Sequence, residues 1–541
     1  MSNRFREALE SGEFVVTCEL IPGRGANEPS QVKEYDAAVA IYGTGRVHAI
    51  SITDNPGGNP AIAADAFADE LENQGVPTLV HFTCKDKNRN QMQAQLYSMQ
   101  RRGLENLLVM SGDYVYSGWE GRSRPVFDLD PVQATMLVTD MNSGLVIKGP
   151  KGDTREQAAH FYSGACVSPF KWTEAETMTQ YWKMEKKLAA GANFIIQQLG
   201  YDARKMEEQL FYVREKGYGD VPMIANIYII SAGVAKFMKG GNIPGGFMSD
   251  ELLGILQEEA KAEDKGKATR LLRAAKMVAI ARGLGYAGVH IGGNGLTAEI
   301  FNTILDQADE IQDQWRDWVK EIHYGQPDGF YLYKPELDAN GVPTGFNTHE
   351  RAPLTDSYHN KKKILKGYGL SRAFHYWVLT PNKRFYGMLR SRMDGLDRKK
   401  GVNREHGLEH TCKAMLYGCM DCGDCGLLVT SYTCPMSGCP KSQRNGPCGG
   451  GADGWCEVYP NERYCIHVKN YHRRKKFNEL VELDSFITPP NNWDFSHTSG
   501  WSNYTHERDN TYGRTYLQTP DQRPQAAKNK RTGAENESKE S

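Results

Sequence analysis

The sequence predicts an α/β fold: a (β/α)8 barrel of the TIM type, followed by a smaller cysteine-rich domain. Three observations lead to this prediction. Short apolar, β-branched runs alternate with helix-like stretches from residue 14 to about residue 295. Polar and acidic residues stand where these runs end, as they do at the rim of such a barrel. Nine of the twelve cysteines fall between Cys412 and Cys465.

Eight candidate strands support the barrel, because eight strands separated by helices can close into a ring within about 250 residues. The strands are predicted at residues 14–20, 48–53, 78–83, 106–110, 161–167, 194–198, 223–230 and 288–291. Helical periodicity falls between them, for instance at residues 90–101, 173–190 and 267–283. A doubly wound open sheet is the alternative architecture with the same alternation.

The length of 541 residues favours two to four domains, and changes in composition divide the chain into four regions. Residues 1–323 form the expected barrel, and residues 324–409 form an aromatic connector that packs between domains. Residues 410–495 form the cysteine-rich domain, and residues 496–541 form a tail. The tail is rich in Gln, Pro, Lys, Asn, Glu and Ser from about residue 518, so we expect its end to be disordered.

Charge and composition argue against several classes of partner. The chain has 65 Lys and Arg against 66 Asp and Glu, so no global positive field attracts it to nucleic acid or to an anionic membrane. No stretch approaches 18 uninterrupted apolar residues, and the first ten residues carry charges where a signal peptide would be apolar. We therefore expect a cytoplasmic protein without membrane insertion.

Five residues stand out because each lies at or just after the end of a candidate strand. They are Glu19, Thr53, His81, Asp113 and Gln198. The carboxyl ends of barrel strands form the active-site rim, so these side chains are candidates for a catalytic site. The alternative is that they are polar only because loops generally are.

The cysteines of the C-terminal domain predict metal binding. Three of them follow one another at two-residue intervals and are followed by Cys-Pro, a pattern that resembles bacterial ferredoxin ligation. Two sets of four could be drawn from Cys419, Cys422, Cys425, Cys434, Cys439, Cys448, Cys456 and Cys465. We expect two [4Fe–4S] clusters, with Cys412 as the surplus residue. Zinc is the alternative, although its usual signature is two well-separated Cys pairs.

Four motifs, in order over half the chain, resemble methylenetetrahydrofolate reductases, which are flavin-containing (β/α)8 barrels. They are Glu19-Leu-Ile-Pro22, His81-Phe-Thr-Cys84, Gly112-Asp113 and the long stretch from Lys187 to Asp202. Residues 434–441, 445–450 and 456–458 look like the cysteine-rich partner module of anaerobic and acetogen-type versions of this reductase. The sequence therefore resembles that barrel and that module fused in one chain.

The resemblance implies roles for individual residues. Glu19 would be the general acid that opens the five-membered ring of methylenetetrahydrofolate, with its pKa raised by apolar surroundings. Asp113 would lie near flavin and pterin, and Gln198 would orient the folate. The flavin, either FAD or FMN, would contact four positions: Thr53, His81, Lys187 and Ala192. For Lys187, a solvated helix face is the alternative.

The electron donor is expected to be a protein, such as one that resembles ferredoxin, or another low-potential donor in place of directly bound NADH. The phenylalanine that stacks on nicotinamide in NADH-using forms is missing from the segment 231–234, while a cysteine module is present in the same chain. The alternative is that NADH binds the barrel through other side chains.

Two further functions remain open from the sequence. One is a methyltransferase that uses methyltetrahydrofolate and binds no flavin. The other is a non-catalytic folate-binding protein with a structural zinc module. In every case the small-molecule partner is a tetrahydrofolate, and a homo-oligomer is compatible with the sequence.

Overall fold

A computed structural model describes residues 3–355, 364–400, 406–480 and 485–517. The strands of the first 293 residues are β1 (Val15–Leu20), β2 (Ala49–Ile52), β3 (Thr78–Thr83), β4 (Asn106–Met110), β5 (Val146–Ile147), β6 (Thr154–Arg155), β7 (Tyr162–Val167), β8 (Phe194–Gln197), β9 (Met223–Ile229) and β10 (Gly288–Gly293). Eight of them are parallel and form a closed barrel in the order β1-β10-β9-β8-β7-β4-β3-β2, while β5 and β6 form a short hairpin outside it. The predicted barrel is confirmed, and the open doubly wound sheet is wrong.

Helices surround the barrel and close its lower end. They are α1 (Arg4–Ser11), α2 (Pro29–Tyr42), α3 (Ala64–Glu72), α4 (Arg89–Arg102), α5 (Pro131–Asn142), α6 (Glu174–Ala189), α7 (Ala203–Glu215), α8 (Ala232–Lys239), α9 (Asp250–Glu259), α10 (Lys267–Leu284), α11 (Ala298–Glu310) and α12 (Trp315–Val319). Helix α1 places Phe5 against Phe194 and Tyr162, with ring centroids 5.4 and 6.3 Å apart. Among the described residues, no helix has both the length and the apolar character needed to cross a membrane.

The barrel interior changes from apolar to polar towards the carboxyl ends of the strands. On β1, Val15 belongs to the apolar layer packed against α1, whereas Thr17 bonds to a histidine of β10. On β3, Leu79 belongs to the apolar layer, and His81 two residues later bonds to a serine. Because alternate residues of a strand share a face, each strand supplies an apolar residue below and a polar residue above. The polar layer faces the barrel mouth.

Residues after the barrel divide between the two larger units. The antiparallel strands Tyr333–Leu337 and Pro343–Arg351 pack on α7, where Arg204 Nε donates to Asn347 Oδ1 over 2.8 Å. Helix Arg384–Lys400 packs instead on the C-terminal domain. The expected connector thus contributes to both units.

The cysteine-rich domain is held together by short elements and buried side-chain bonds. Its regular elements are the helices Gly407–Tyr417, Pro435–Gly438, Ile466–Lys475 and Gly500–Thr505, and the strand pair Phe486–Ile487 and Thr515–Tyr516. The region after residue 496 belongs to this domain, because Asn510 and Asn503 bond to Asp424 Oδ1 and Gly423 O. The disordered end expected from about residue 518 lies outside the described residues.

The C-terminal domain covers helix α6. Every residue from Glu174 to Leu188 is buried, including the lysines at positions 183, 186 and 187. A barrel helix ordinarily exposes its outer face, and Thr173 with Glu176 caps this one in the ordinary way. The alternative of a solvated helix face at Lys187 is therefore wrong.

Asp130 is a buried joint between the two units. Its Oδ1 caps helix α5 through the amides of Val132 and Gln133, and its Oδ2 accepts from the amides of Arg444 and Asn445. A buried carboxylate that accepts hydrogen bonds from several backbone amides is strongly stabilised.

We predict that Asp130→Ala lowers the free energy of unfolding by roughly 3 kcal/mol, because it removes a helix cap and leaves buried amides without an acceptor. Urea unfolding followed by circular dichroism measures the change. Asp140→Ala, at an exposed position of the same helix, is the matched control. Equal stability of the two variants would contradict the role of Asp130.

Candidate active site and cysteine centres

Glu19 lies at the barrel mouth beside a histidine that was not predicted. Its Oε2 is 3.4 Å from Nε2 of His290 on β10, and Nδ1 of the same ring is 2.8 Å from Oγ1 of Thr17. Thr17 and His290 are register partners across the β1–β10 pair. A β-carbon at Gly292 would lie 3.2 Å from Glu19 Oε1, so the glycine leaves room beside the carboxyl group.

The pKa of Glu19 is lowered, not raised. Burial alone would raise it, but the hydrogen bond from His290 and the positive charge of that ring outweigh burial. Burial lowers the pKa of His81 to about 4, so that ring is neutral near pH 7. His290 is therefore the main cause of the lowered pKa of Glu19. The expected rise in the pKa of Glu19 is therefore wrong, and the histidine across β10 is the reason.

Three buried polar atoms at or below the barrel mouth have no hydrogen-bond partner among the described residues. They are Thr53 Oγ1, Ser168 Oγ and Asn226 Oδ1. Buried polar atoms nearly always find a partner in proteins. His81 lies in the same layer, with Nε2 2.8 Å from Ser51 Oγ. These atoms fit a polar, planar group such as the flavin ring, which offers donors and acceptors around its edge.

Asp113 faces the barrel mouth and the C-terminal domain together. Its Oδ2 accepts from the amide of Gly57 over 2.7 Å. Burial and the nearby negative charge of Glu457 raise its pKa against the opposing effect of Lys441. Lys441 itself donates to Gly112 O over 2.9 Å and pairs with Glu457. The cysteine-rich domain therefore contacts the very loop that carries Asp113.

Gln198 stands one residue beyond β8, beside a loop of the C-terminal domain. Its Oε1 accepts from the amide of Leu199 over 2.9 Å. Gln198 Nε2 and Gly449 O lie 3.3 and 3.1 Å from the position that a β-carbon would take at Gly245. The two units therefore meet at Gln198 as well as at Asp113.

Lys187 and Ala192 are not brought to the group around Glu19. The Lys187 ammonium donates to the carbonyl of Cys166, and burial lowers its pKa to about 8. Ala192 precedes β8 at the amino ends of the strands, opposite the mouth where Gln198 lies. The structure thus unites Glu19, Thr53, His81, Asp113 and Gln198 at one end of the barrel.

The first cysteine set lines a cavity inside the C-terminal domain. Its members are Cys419, Cys422, Cys425 and Cys434. Glu409 and Lys413 form a buried ion pair on one wall of the cavity. The amide of Asp421 donates to Cys419 Sγ over 3.4 Å, as amides do to metal-bound thiolates.

The second cysteine set lines a cavity against helix α6. Its members are Cys439, Cys448, Cys456 and Cys465. Gln180 of α6 donates to Cys448 O over 2.9 Å, and the amide of Gln443 donates to Cys439 Sγ over 3.5 Å. Cys412 lies on helix Gly407–Tyr417 and lines neither cavity.

Four cysteines line each of the two cavities. Four thiolates are the ligand number of a four-iron cluster and of a structural zinc ion alike. Within the described part of the chain, no group of three or more His, Cys, Asp or Glu side chains is arranged to hold a metal ion.

Two buried lysines lie beside the second set. Lys171 donates to Gly451 O over 2.7 Å, and Lys183 donates to Gln443 Oε1 and Pro447 O over 2.7 and 3.0 Å. Burial lowers the pKa of both, against the opposing effect of Glu176 near Lys171 and of Asp130 near Lys183. Thiolates of the second set would add further negative charge close to these amines.

Comparisons with known proteins agree with this division of the chain. A family model described as methylenetetrahydrofolate reductase matches residues 4–292, more than half of the chain. A second model, described as the C terminal of methylene-tetrahydrofolate reductase, matches residues 400–494. The two matches cover the barrel and most of the cysteine-rich domain.

One solved structure is described as an uncharacterized protein from Clostridium thermocellum that binds two copies of 5-methyl-5,6,7,8-tetrahydrofolic acid. It aligns with a TM-score of 0.40 and 13% identity, over 57% of this chain and 99% of that chain. A similarity at this level carries no argument about ligands or activity.

We predict that His290→Ala raises the pKa of Glu19 above the ordinary glutamate value, because burial then acts with little opposition. Infrared spectra of protein labelled with ¹³C-glutamate follow the carboxyl band as the pH falls. The double variant Glu19→Gln/His290→Ala, which lacks that carboxyl group, is the control. An unchanged titration of Glu19 in His290→Ala would show that the histidine does not set its pKa.

Proposed function

The chain belongs to the methylenetetrahydrofolate reductase family, and we propose that it interconverts 5,10-methylenetetrahydrofolate and 5-methyltetrahydrofolate with a flavin in the barrel. We propose further that the C-terminal domain holds two [4Fe–4S] clusters that exchange electrons with this site. The observation that carries the proposal is the contact of the second cysteine set's loop with the mouth: Lys441 on Gly112, and Gly449 beside Gln198.

Glu19 supplies the proton that opens the five-membered ring of the substrate. Its hydrogen bond with His290 connects it to a second group that can carry a proton. A bound substrate excludes water from the mouth, which favours the neutral carboxylic acid. Thr17 holds the other ring nitrogen and thereby orients the imidazole towards Glu19.

Asp113 and Gln198 bind and orient the pterin. The carboxyl group of Asp113 has a raised pKa beside Glu457, so it is suited to hydrogen bonding with pterin nitrogens. The side chain of Gln198 offers both a donor and an acceptor to the folate. Their positions on neighbouring parts of the rim allow both to contact one ring system.

The flavin would contact Thr53, His81, Ser168 and Asn226, whose polar atoms line the upper barrel. When bound and reduced, a flavin supplies a hydride to an electrophilic carbon. Family resemblance adds Lys187 and Ala192 to this set, although neither joins the group around Glu19. Whether the flavin is FAD or FMN depends on that outer part of the site.

The clusters would be held by the two cysteine sets defined above. When bound, such clusters accept and donate single electrons. Lys171, Lys183 and Lys441 supply positive charge around the second set, which balances the thiolates.

A non-catalytic protein with a zinc module remains the alternative, and so does a flavin-free methyltransferase. The absorbance spectrum of the purified protein separates these, because only the proposed enzyme carries flavin.

We predict that Glu19→Gln keeps the bound flavin but loses at least about 10²-fold in turnover of methylenetetrahydrofolate, because the amide preserves shape and removes the transferable proton. Steady-state kinetics with an artificial electron donor measure the loss, and flavin absorbance checks that the site remains intact. A loss of only a few-fold would remove Glu19 from the acid role.

We predict about eight irons per chain in protein purified without oxygen, and about four after Cys422→Ser or Cys448→Ser, because each replacement disrupts one set of four. Iron, zinc and acid-labile sulfide are measured together. Cys412→Ser is the matched control and should retain all the iron. Zinc without sulfide in the wild-type protein would support a structural module instead.

A further inference from the structure

The helix Arg384–Lys400 presents an unpaired basic surface to solvent. Segment 364–400 contains nine Lys and Arg against two Asp. Asp397 already pairs with Arg508 over 2.8 Å, and Asp394 bonds to His506. The exposed arginines that form no ion pair with another described residue are Arg384, Arg390, Arg392 and Arg398. We name these four arginines the basic face.

Exposed apolar side chains on two other helices of this domain make up what we name the apolar patch. Met415 and Leu416 are 76% and 66% exposed at the end of helix Gly407–Tyr417, and Met420 follows them. Leu370 is 75% exposed on a neighbouring helix, where Ser371 bonds to Tyr417 over 2.7 Å. Single exposed apolar residues are ordinary, but several of them on two contacting helices are typical of a protein interface.

These helices cover the first cysteine set from the outside. Glu409 and Lys413 line its cavity from the inner side of helix Gly407–Tyr417. A β-carbon at Gly500 would lie 3.3 Å from Cys425 Cβ, and Ser502 of the same helix bonds to Asp397 over 3.0 Å. One short helix therefore separates Cys425 from the helix that carries the basic face.

We propose that an acidic one-electron carrier protein docks on the basic face and the apolar patch. This inference rests on the proposed function, because it assigns a partner to the first cysteine set. Complementary charge draws such a carrier to the surface, and the exposed Met and Leu side chains provide the apolar contact. Two reduced carriers and two protons convert one methylenetetrahydrofolate into methyltetrahydrofolate, and both carriers leave oxidised.

Other occupants fit this surface less well. A second copy of the chain in a two-fold contact would place the basic face against itself, and like charges repel. The C-terminal residues 518–541 contain no aromatic, Leu, Ile, Val or Met residue that could cover the apolar patch.

The test measures binding of the full-length, iron-loaded protein to a purified acidic bacterial two-[4Fe–4S] ferredoxin by biolayer interferometry. The double variant Arg384→Glu/Arg392→Glu should lower the association rate at least about tenfold. Lys33→Glu/Arg101→Glu reverses two exposed charges on the barrel and is the matched control. Binding by the wild-type protein should also weaken as salt rises.

Three results would overturn the inference: no ferredoxin binding by the wild-type protein, equal binding by both double variants, or binding that does not depend on salt. A homodimer that Met415→Glu/Leu416→Glu dissociates, without ferredoxin binding, would assign the surface to a second copy. Iron content and viologen-driven turnover of Arg384→Glu/Arg392→Glu should match the wild type. A wild-type protein that contains no iron and shows no viologen-driven turnover would instead refute the proposed function.

Discussion

The burial of helix α6 between the barrel and the cysteine-rich domain is the constraint on which the rest of the structure depends. A helix that would ordinarily face water donates side-chain hydrogen bonds to backbone carbonyls of another domain. Its amines and amides bind the loop around Cys448, while Asp130 binds the adjoining amides of Arg444 and Asn445. Breaking this contact would leave several buried charges without partners, so the two units are held in one arrangement.

That arrangement gives the two cysteine sets different surroundings. The second set lies against α6, and its loops contact Gly112 and approach Gln198 at the barrel mouth. The first set lies beneath the helices that carry the exposed arginines and apolar side chains. One set thus lies near the barrel mouth and the other lies near the exposed arginines. In the proposed enzyme, this order would give each set its own place in electron transfer.

The sequence predicted the strands closely, because alternating β-branched runs and the polar ends of strands are local signals. The observed strand β3 has the predicted bounds, and β8 differs from its prediction by one residue at its end. His290 was missed, although its place on the last predicted strand was a usable signal. Lys441 and Glu457 could not be assigned, since their roles depend on how two units pack. The pKa of Glu19 was mispredicted for the same reason: a neighbour distant in sequence reverses the effect of burial.

The most direct test of the account is anomalous diffraction from crystals of protein purified without oxygen, measured on both sides of the iron and zinc absorption edges. The account predicts two iron peaks. One should be enclosed by Cys439, Cys448, Cys456 and Cys465 against helix α6, and the other by Cys419, Cys422, Cys425 and Cys434. Zinc peaks at these positions, or iron at neither, would contradict it.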